Sequence, residues 1–301
     1  MNAETPRKMK GSLVERAAAI YGLDALSTRP VDAPEPIPQN RALVPEPKSH
    51  AVVRKTNRSG TIDRKLLTDQ GMIVPGAPVS ILAEEFRMVK RALLQTAKKV
   101  EKSKANAARM ILVCSAQPNE GKTFCAINLA LSMAAEKDVE VLLVDADFAK
   151  PDVVLRMGLQ DGPGLLDALA DPAIDLEGCV IATDVPHLSV LPSGAKNNSD
   201  TELLASERTT AVLAGLLAVD PKRVIIFDSP PVLAASPASV LALHAGQAML
   251  VVRADKTGDT DIREAVALLD ACEHIQLVLN SVAFASGGTR FGSYYGPEEA
   301  K

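Results

Sequence analysis

No closely spaced cysteine pair, no long apolar run and no strong charge of either sign occurs in this chain of 301 residues. Its four cysteines, Cys114, Cys125, Cys179 and Cys272, form no C-x-x-C pair, and no histidine stands at ligand spacing from them. That argues against zinc and against a disulfide framework, and it fits a reducing compartment. No apolar core marks a signal segment at the N-terminus. No uncharged apolar run reaches the roughly 18 residues needed to span a bilayer. A cytoplasmic protein is expected, with any membrane role supplied by a partner. The net charge of −4 gives no electrostatic case for binding nucleic acid. That charge is uneven: residues 1–75 hold 12 Lys/Arg against 8 Asp/Glu, and the remainder 21 against 29. The basic excess near the N-terminus reads as a solvated arm, or as a contact for an acidic partner or membrane surface.

What is present divides the chain. Residues 12–22 (SLVERAAAIYG) read as a short amphipathic helix with a Ser12/Glu15 capping box and a stop at Gly22. Six prolines fall within residues 29–50, a stretch that cannot keep a helix ladder and reads as an extended linker. Residues 1–75 are thus expected to form a largely flexible N-terminal extension, its first helix either a tethered docking element or one with no partner. A short helix is expected over 61–70, ended by Gly71 and Pro75. A stronger one is expected over 79–99, with Ser80 as N-cap and Leu82, Phe86, Val89 and Leu93 on one apolar face.

From residue 110 short apolar runs alternate with helical stretches: 110–115, 139–145, 187–191, 223–228, 247–253 and 275–280. Several are apolar throughout, as strands buried on both faces must be. The expected fold class is α/β, a P-loop NTPase with a mostly parallel central sheet flanked by helices, over residues 76–285. Residues 286–301 read as a mobile tail carrying tyrosines.

The chemistry is written at the strand ends. Ser115-Ala116-Gln117-Pro118-Asn119-Glu120-Gly121-Lys122-Thr123 follows the first apolar strand and opens a helix. It is a G-x-x-x-x-G-K-[ST] loop in which Ala116 replaces the first glycine. Such a turn aims backbone N–H groups and a helix dipole at phosphate oxygens. Gly121 lets the backbone approach closely, Lys122 neutralises charge and the Thr123 hydroxyl ligates Mg2+. Pro118, Asn119, Glu120 and Phe124 complete the expected ATP-binding set. Asp145 and Asp147 end one apolar strand and Asp228 ends another. Carboxylates at the carboxyl ends of strands beside such a loop are placed to share one Mg2+ and its waters.

With these motifs in hand, the sequence resembles the bacterial tyrosine kinases. SAQPNEGKT, VLLVDADFAKP and VIIFDSPP are similar to that family's Walker A, Walker A′ and Walker B motifs. SLVERA, EEFRMVKRALL, LPSG followed by TELLAS, and C-terminal tyrosines resemble the autokinases associated with exosortase exopolysaccharide loci. The resemblance implies a non-specific protein-tyrosine kinase acting in exopolysaccharide synthesis and export, with ATP and Mg2+ as cofactors. Lys122, Asp145 and Asp147 would be catalytic, one of the two aspartates taking the tyrosine proton, and Thr123, Asp145, Asp147 and Asp228 would hold the metal. Tyr294 and Tyr295 would accept phosphate in trans from a neighbouring copy. The family's E-x-x-R-x-x-R ring motif stands here as Glu84, Arg87 and Lys90, and the final lysine cannot make arginine's bidentate pair. Ala149-Lys150 stands where relatives often carry arginine. The implied partners are further copies of the chain, as an oligomer or ring, and a membrane chain-length regulator acting in trans, which would hold the protein at the inner membrane.

Two other readings use the same loop. A MinD/ParA-like switch ATPase needs a lysine five residues before Lys122, where this chain has Gln117, and a basic amphipathic C-terminal helix, which it lacks. A non-catalytic nucleotide-sensing regulator of the export complex would not need Lys122 and all three aspartates. The H-R-D and D-F-G motifs of eukaryotic kinases are absent from the sequence.

Overall fold

A computed structural model describes residues 58–196 and 200–282. The expected helix at 12–22, the proline-rich linker and the tail with Tyr294 and Tyr295 lie outside the described residues.

Eight strands form one sheet: β1 (Arg58–Gly60), β2 (Met110–Ser115), β3 (Glu140–Asp145), β4 (Ile181–Thr183), β5 (Leu188–Leu191), β6 (Arg223–Asp228), β7 (Gln247–Arg253) and β8 (Ile275–Asn280). Their spatial order is β1-β4-β5-β3-β6-β2-β7-β8. The six strands from β5 to β8 run parallel; β4 pairs antiparallel with β5, and β1 pairs parallel with β4. The sheet is therefore mostly parallel, as its apolar runs imply. Alternation along β2 feeds two cores. Leu112 and Cys114 join one cluster, while Ile111 and Val113 join the other on the opposite face.

Helices cover both faces. On one, α1 (Arg64–Asp69), α2 (Ile81–Val100) and α3 (Lys122–Ala134) pack over Ile111, Val113, Leu143, Ile226 and Met249. Ser80 caps α2 by accepting the Ala83 N–H at 3.2 Å. Phe86 and Leu93 are buried, and Leu82 and Val89 pack partly buried against the same core. On the other face α4 (Glu207–Ala218) and α5 (Pro237–Ala242) cover Leu112, Val144, Phe227 and Leu250. Gln247 is fully buried, with its amide donating to Leu93 O at 3.1 Å, so the polar group is satisfied where β7 meets α2. Among the described residues no helix is long and apolar enough to cross a membrane.

The folded body includes residues ahead of the expected boundary at 76. β1 adds to the sheet through β4, and Ile62, Leu67 and Met72 are buried in the core beneath α3. Strands of three residues carry no readable periodicity, and their partners lie more than a hundred positions away. Asp184 fastens this segment. Its carboxylate accepts the Ile62 N–H at 2.9 Å and pairs with Arg64 at 2.6 Å, while its own N–H donates to Gly60 O at 3.2 Å.

Burial pushes the Asp184 carboxyl up, but the Arg64 and Ile62 hydrogen bonds outweigh it and hold the group below its ordinary value. A lowered carboxyl stabilises the fold above the unfolded value of about 3.9, and the contribution fades as pH falls through the folded value. Asp184→Ala should therefore cost about 1 kcal/mol at pH 7 by urea unfolding, with the difference from wild type shrinking below about pH 4.

Candidate active site

The site forms where β2, β3 and β6 end side by side. β2 stops at Ser115, the chain turns through residues 116–121, and α3 begins at Lys122. Ala116 is buried in the core, so the methyl that replaces the motif's first glycine is accommodated by packing. Gly121 has no substitute. It caps α3 at φ 97°, and a Cβ there would lie 2.1 Å from Asn280 Nδ2. The left-handed turn frees the first amides of a 13-residue helix, which are unpaired within the helix and carry its positive end.

These elements border a cavity of about 350 Å³. Pro118, Asn119, Gly121, Lys122, Thr123 and Phe124 line it from the loop side, as expected for a nucleotide contact. Asp147, Lys150, Asp152 and Arg156 face it from the segment after β3, and Pro230 and Pro231 from the segment after β6. Of the expected loop set, Glu120 alone does not line it. Its carboxylate is buried behind the loop, accepting the Gln117 N–H at 2.8 Å and the Thr257 hydroxyl.

The three aspartates take different roles. Asp145 and Asp228 are paired in register across β3 and β6. Asp145 Oδ2 accepts the N–H groups of Asp152 and Val153, both at 3.0 Å, and Oδ1 accepts that of Asp147 at 3.3 Å. Burial pushes its carboxyl up to about 7, with those amides pulling the other way. Asp147 Oδ2 sits 2.7 Å from Lys122 Nζ. Asp228 is fully buried, and the Thr123 hydroxyl beside it is the one side-chain hydroxyl that favours its charged form, neither oxygen having a fully formed hydrogen bond among the described residues. Burial pushes it up to about 8, while Lys122 draws it down and Asp145 adds repulsion.

Among the described residues no three His, Cys, Asp or Glu side chains stand close enough to hold a metal ion together. In this structure Asp145 accepts main-chain amides and Asp147 pairs with Lys122. The remaining residues fit a hydrated divalent cation. An orphaned carboxylate lies beside the first turn of α3, and an unpaired buried acid is costly unless a cation meets it. Asp228 and the Thr123 hydroxyl are the groups that would hold it, with water completing the shell.

The Glu84, Arg87 and Lys90 set is divided by the helix period. Glu84 and Arg87 pair with each other on the outer side of α2. Lys90 lies four residues after Phe86 and three before Leu93, so it falls on the packed stripe. It is only 8% exposed, donates to Ser132 O at 3.0 Å and pairs with Glu136 at 2.6 Å. Sequence reasoning missed Lys150 and Arg156 as cationic lining. It also missed Arg253, Thr257 and Asn280, which grip the loop from the ends of β7 and β8. The strand-end rule that found the aspartates points to these positions as well.

Residues 108–281 match the family described as AAA domain. The chain is 31% identical over 204 residues to tyrosine-protein kinase YwqD of Bacillus subtilis, covering 68% of this chain and 82% of that protein. It is 25% identical over 227 residues to tyrosine-protein kinase Wzc of Salmonella typhimurium, covering 74% of this chain and 30% of Wzc, so it spans under a third of that longer relative. Among solved structures it is similar to the BceF tyrosine kinase domain, with a TM-score of 0.55, 27% identity, and coverage of 65% of this chain and 76% of that one.

Asp228→Asn should stabilise the nucleotide-free, metal-free protein by about 1–3 kcal/mol at pH 8 and above. A carboxyl raised in the fold costs stability as pH climbs from the unfolded value of about 3.9 toward the folded one of about 8. The gain should therefore shrink toward pH 5, where wild-type Asp228 is already neutral. Unfolding midpoints across pH 5–9 check this; a variant less stable than wild type at pH 8 would show the carboxylate to be satisfied.

Proposed function

The chain belongs to the bacterial tyrosine-protein kinases, and on that premise we propose that it transfers the γ-phosphoryl group of ATP to Tyr294 and Tyr295 of a neighbouring copy. The observation that carries the reading is the close approach of Lys122 and Asp147 at the mouth of a P-loop backed by an unpartnered buried Asp228. The site then offers a cation to an incoming phosphate, a base to an incoming hydroxyl and a carboxylate to a metal.

The loop amides and Lys122 bind the β- and γ-phosphates, and Lys122 neutralises charge spread over the transferred group. Lys122 releases Asp147 as phosphate takes its place. Asp147 then accepts the phenolic proton as the tyrosine oxygen bonds to the γ-phosphorus, and the bond to the β-phosphate oxygen breaks with its electron pair leaving on ADP. What favours Asp147 over Asp145 as proton acceptor is that Asp147 lines the cavity, whereas the oxygens of Asp145 are taken by three amides. Thr123 and Asp228 would hold Mg2+, which would supply charge neutralisation at the phosphates when bound. Lys150 and Arg156 are the candidates for an added cation on the acceptor side.

The setting is exopolysaccharide or capsule synthesis, in an exosortase-type locus on the strength of the flanking sequence matches. The chain acts as a homo-oligomer at the inner membrane, held there by a membrane chain-length regulator in trans. Glu84 and Arg87 remain the surface candidates for self-association.

Incubation of the full chain with Mg-ATP, with and without the regulator, followed by phosphosite mapping should label Tyr294 and Tyr295. Lys122→Met should lower labelling by about 10²-fold or more in protein that remains folded. Unlabelled tyrosines in the wild type with the regulator present, or full labelling in the variant, would overturn the reading. Arg87→Glu should reduce the mass measured by light scattering at micromolar concentration; an unchanged mass would remove this face of α2 from the interface.

A further inference from the structure

The P-loop contains an acid that the phosphoryl-transfer chemistry does not use. Glu120 is 2% exposed and stands immediately before the glycine on which phosphate approach depends. A carboxylate facing the phosphates would repel them, and this one is turned away. Its Oε2 accepts the Gln117 N–H at 2.8 Å, closing the loop across three residues, and its Oε1 accepts the Thr257 hydroxyl.

Thr257 lies in the turn after β7 and is itself fixed. Its Oγ1 accepts the Arg253 N–H at 2.9 Å, and its N–H donates to Arg253 O at 3.0 Å. The hydroxyl therefore uses its single proton toward Glu120 while accepting from β7. Two further bonds run the same way. Asn280 Nδ2 donates to Glu120 O at 2.9 Å, and the Arg253 guanidinium donates to Asn119 O at 3.1 Å. The loop is thus gripped from the ends of two strands, and Glu120 is the one side chain within it that reaches across to them. The motif's usual first glycine is absent here, so the turn owes more of its shape to such ties than to backbone freedom.

We infer that Glu120 is a positioning residue for nucleotide, acting through Gln117 and Thr257 to hold the P-loop in its phosphate-accepting shape before the ligand arrives. The inference rests on the nucleotide-binding part of the proposed function. Without the tie, the Gln117 N–H and the Thr257 hydroxyl lose a buried partner, and the loop must be ordered at the expense of binding energy.

The test uses the full chain, with ADP and ATP affinity measured by displacement of a fluorescent nucleotide and with KM and kcat of self-labelling measured separately. Glu120→Gln and Thr257→Val should each weaken nucleotide binding about tenfold, as the loss of one buried charge-assisted bond predicts. The change should fall in KM for ATP with kcat nearly kept. Thr257→Ser should restore wild-type affinity, and the Glu120→Gln/Thr257→Val double variant should bind no more weakly than either single variant, because both remove one tie. Should Thr257→Val fail to fold, Glu120→Gln and Thr257→Ser still decide the matter. Additive losses, unchanged affinity in Glu120→Gln, or a serine variant as impaired as valine would overturn the inference. A wild-type chain that bound no adenine nucleotide would overturn it together with the reading beneath it. One that bound nucleotide but labelled no tyrosine would overturn the kinase reading alone, with the titrations still judging Glu120.

Discussion

A buried carboxylate without a hydrogen-bond partner is the constraint on which the rest of this structure turns. Asp228 ends β6 with both oxygens inside the protein and no fully formed hydrogen bond among the described residues, only the Thr123 hydroxyl standing close by. Such a group is expensive to keep, so its surroundings must offer compensation. The charge of Lys122 offers part of it. The register of β3 and β6 aggravates the cost by setting Asp145 directly beside it, and the fold answers by giving Asp145 three amides of its own. Two neighbouring acids in one site are thereby made unlike: one is tied into the scaffold by amides, the other is not.

Parallel strands make this arrangement possible. Every strand from β5 to β8 releases its chain at the same edge, so residues far apart in sequence meet there. The P-loop leaves β2, the aspartates leave β3 and β6, and Arg253 and Asn280 close β7 and β8. The continuous apolar runs that bury the strands also align these ends, because register in a sheet buried on both faces is set by packing on both sides. Core and site are consequences of one pattern.

That pattern was legible in the sequence to the extent that it was long enough to read. The runs at 110–115, 223–228, 247–253 and 275–280 coincide with β2, β6, β7 and β8, and the Ser80 cap and apolar stripe of α2 are present as expected. β1 and β4 were not read, because three-residue strands have no period and are held by a partner distant in sequence. Lys90 was placed in the ring motif with Glu84 and Arg87, and its spacing from Phe86 and Leu93 puts it on the packed stripe. The identity of the aspartates was readable from strand-then-Asp spacing. Their division of labour was not, because it depends on which backbone amides and which lysine each side chain meets after folding.

The loop's two flanks differ in a way that bears on function. On the β7–β8 side, Glu120, Asn119 and Gly121 are met by fixed groups: a threonine hydroxyl, a guanidinium and an amide against which no Cβ could fit. On the β3 side, Asp147 is tied by an ion pair to Lys122, the first residue of α3 and the one a phosphate must claim. Hydrogen bonds to main-chain atoms demand one geometry, whereas an ion pair between two side chains can be exchanged for another of the same sign pattern at small net cost. The β7–β8 flank is thus tied by hydrogen bonds, while the β3 flank, where Asp147, Lys150 and Arg156 line the cavity, carries the exchangeable charge. A loop held by fixed bonds on one flank and bordered by an exchangeable ion pair on the other suits transfer between two bound groups, since the donor must be held still while charge is redistributed around it.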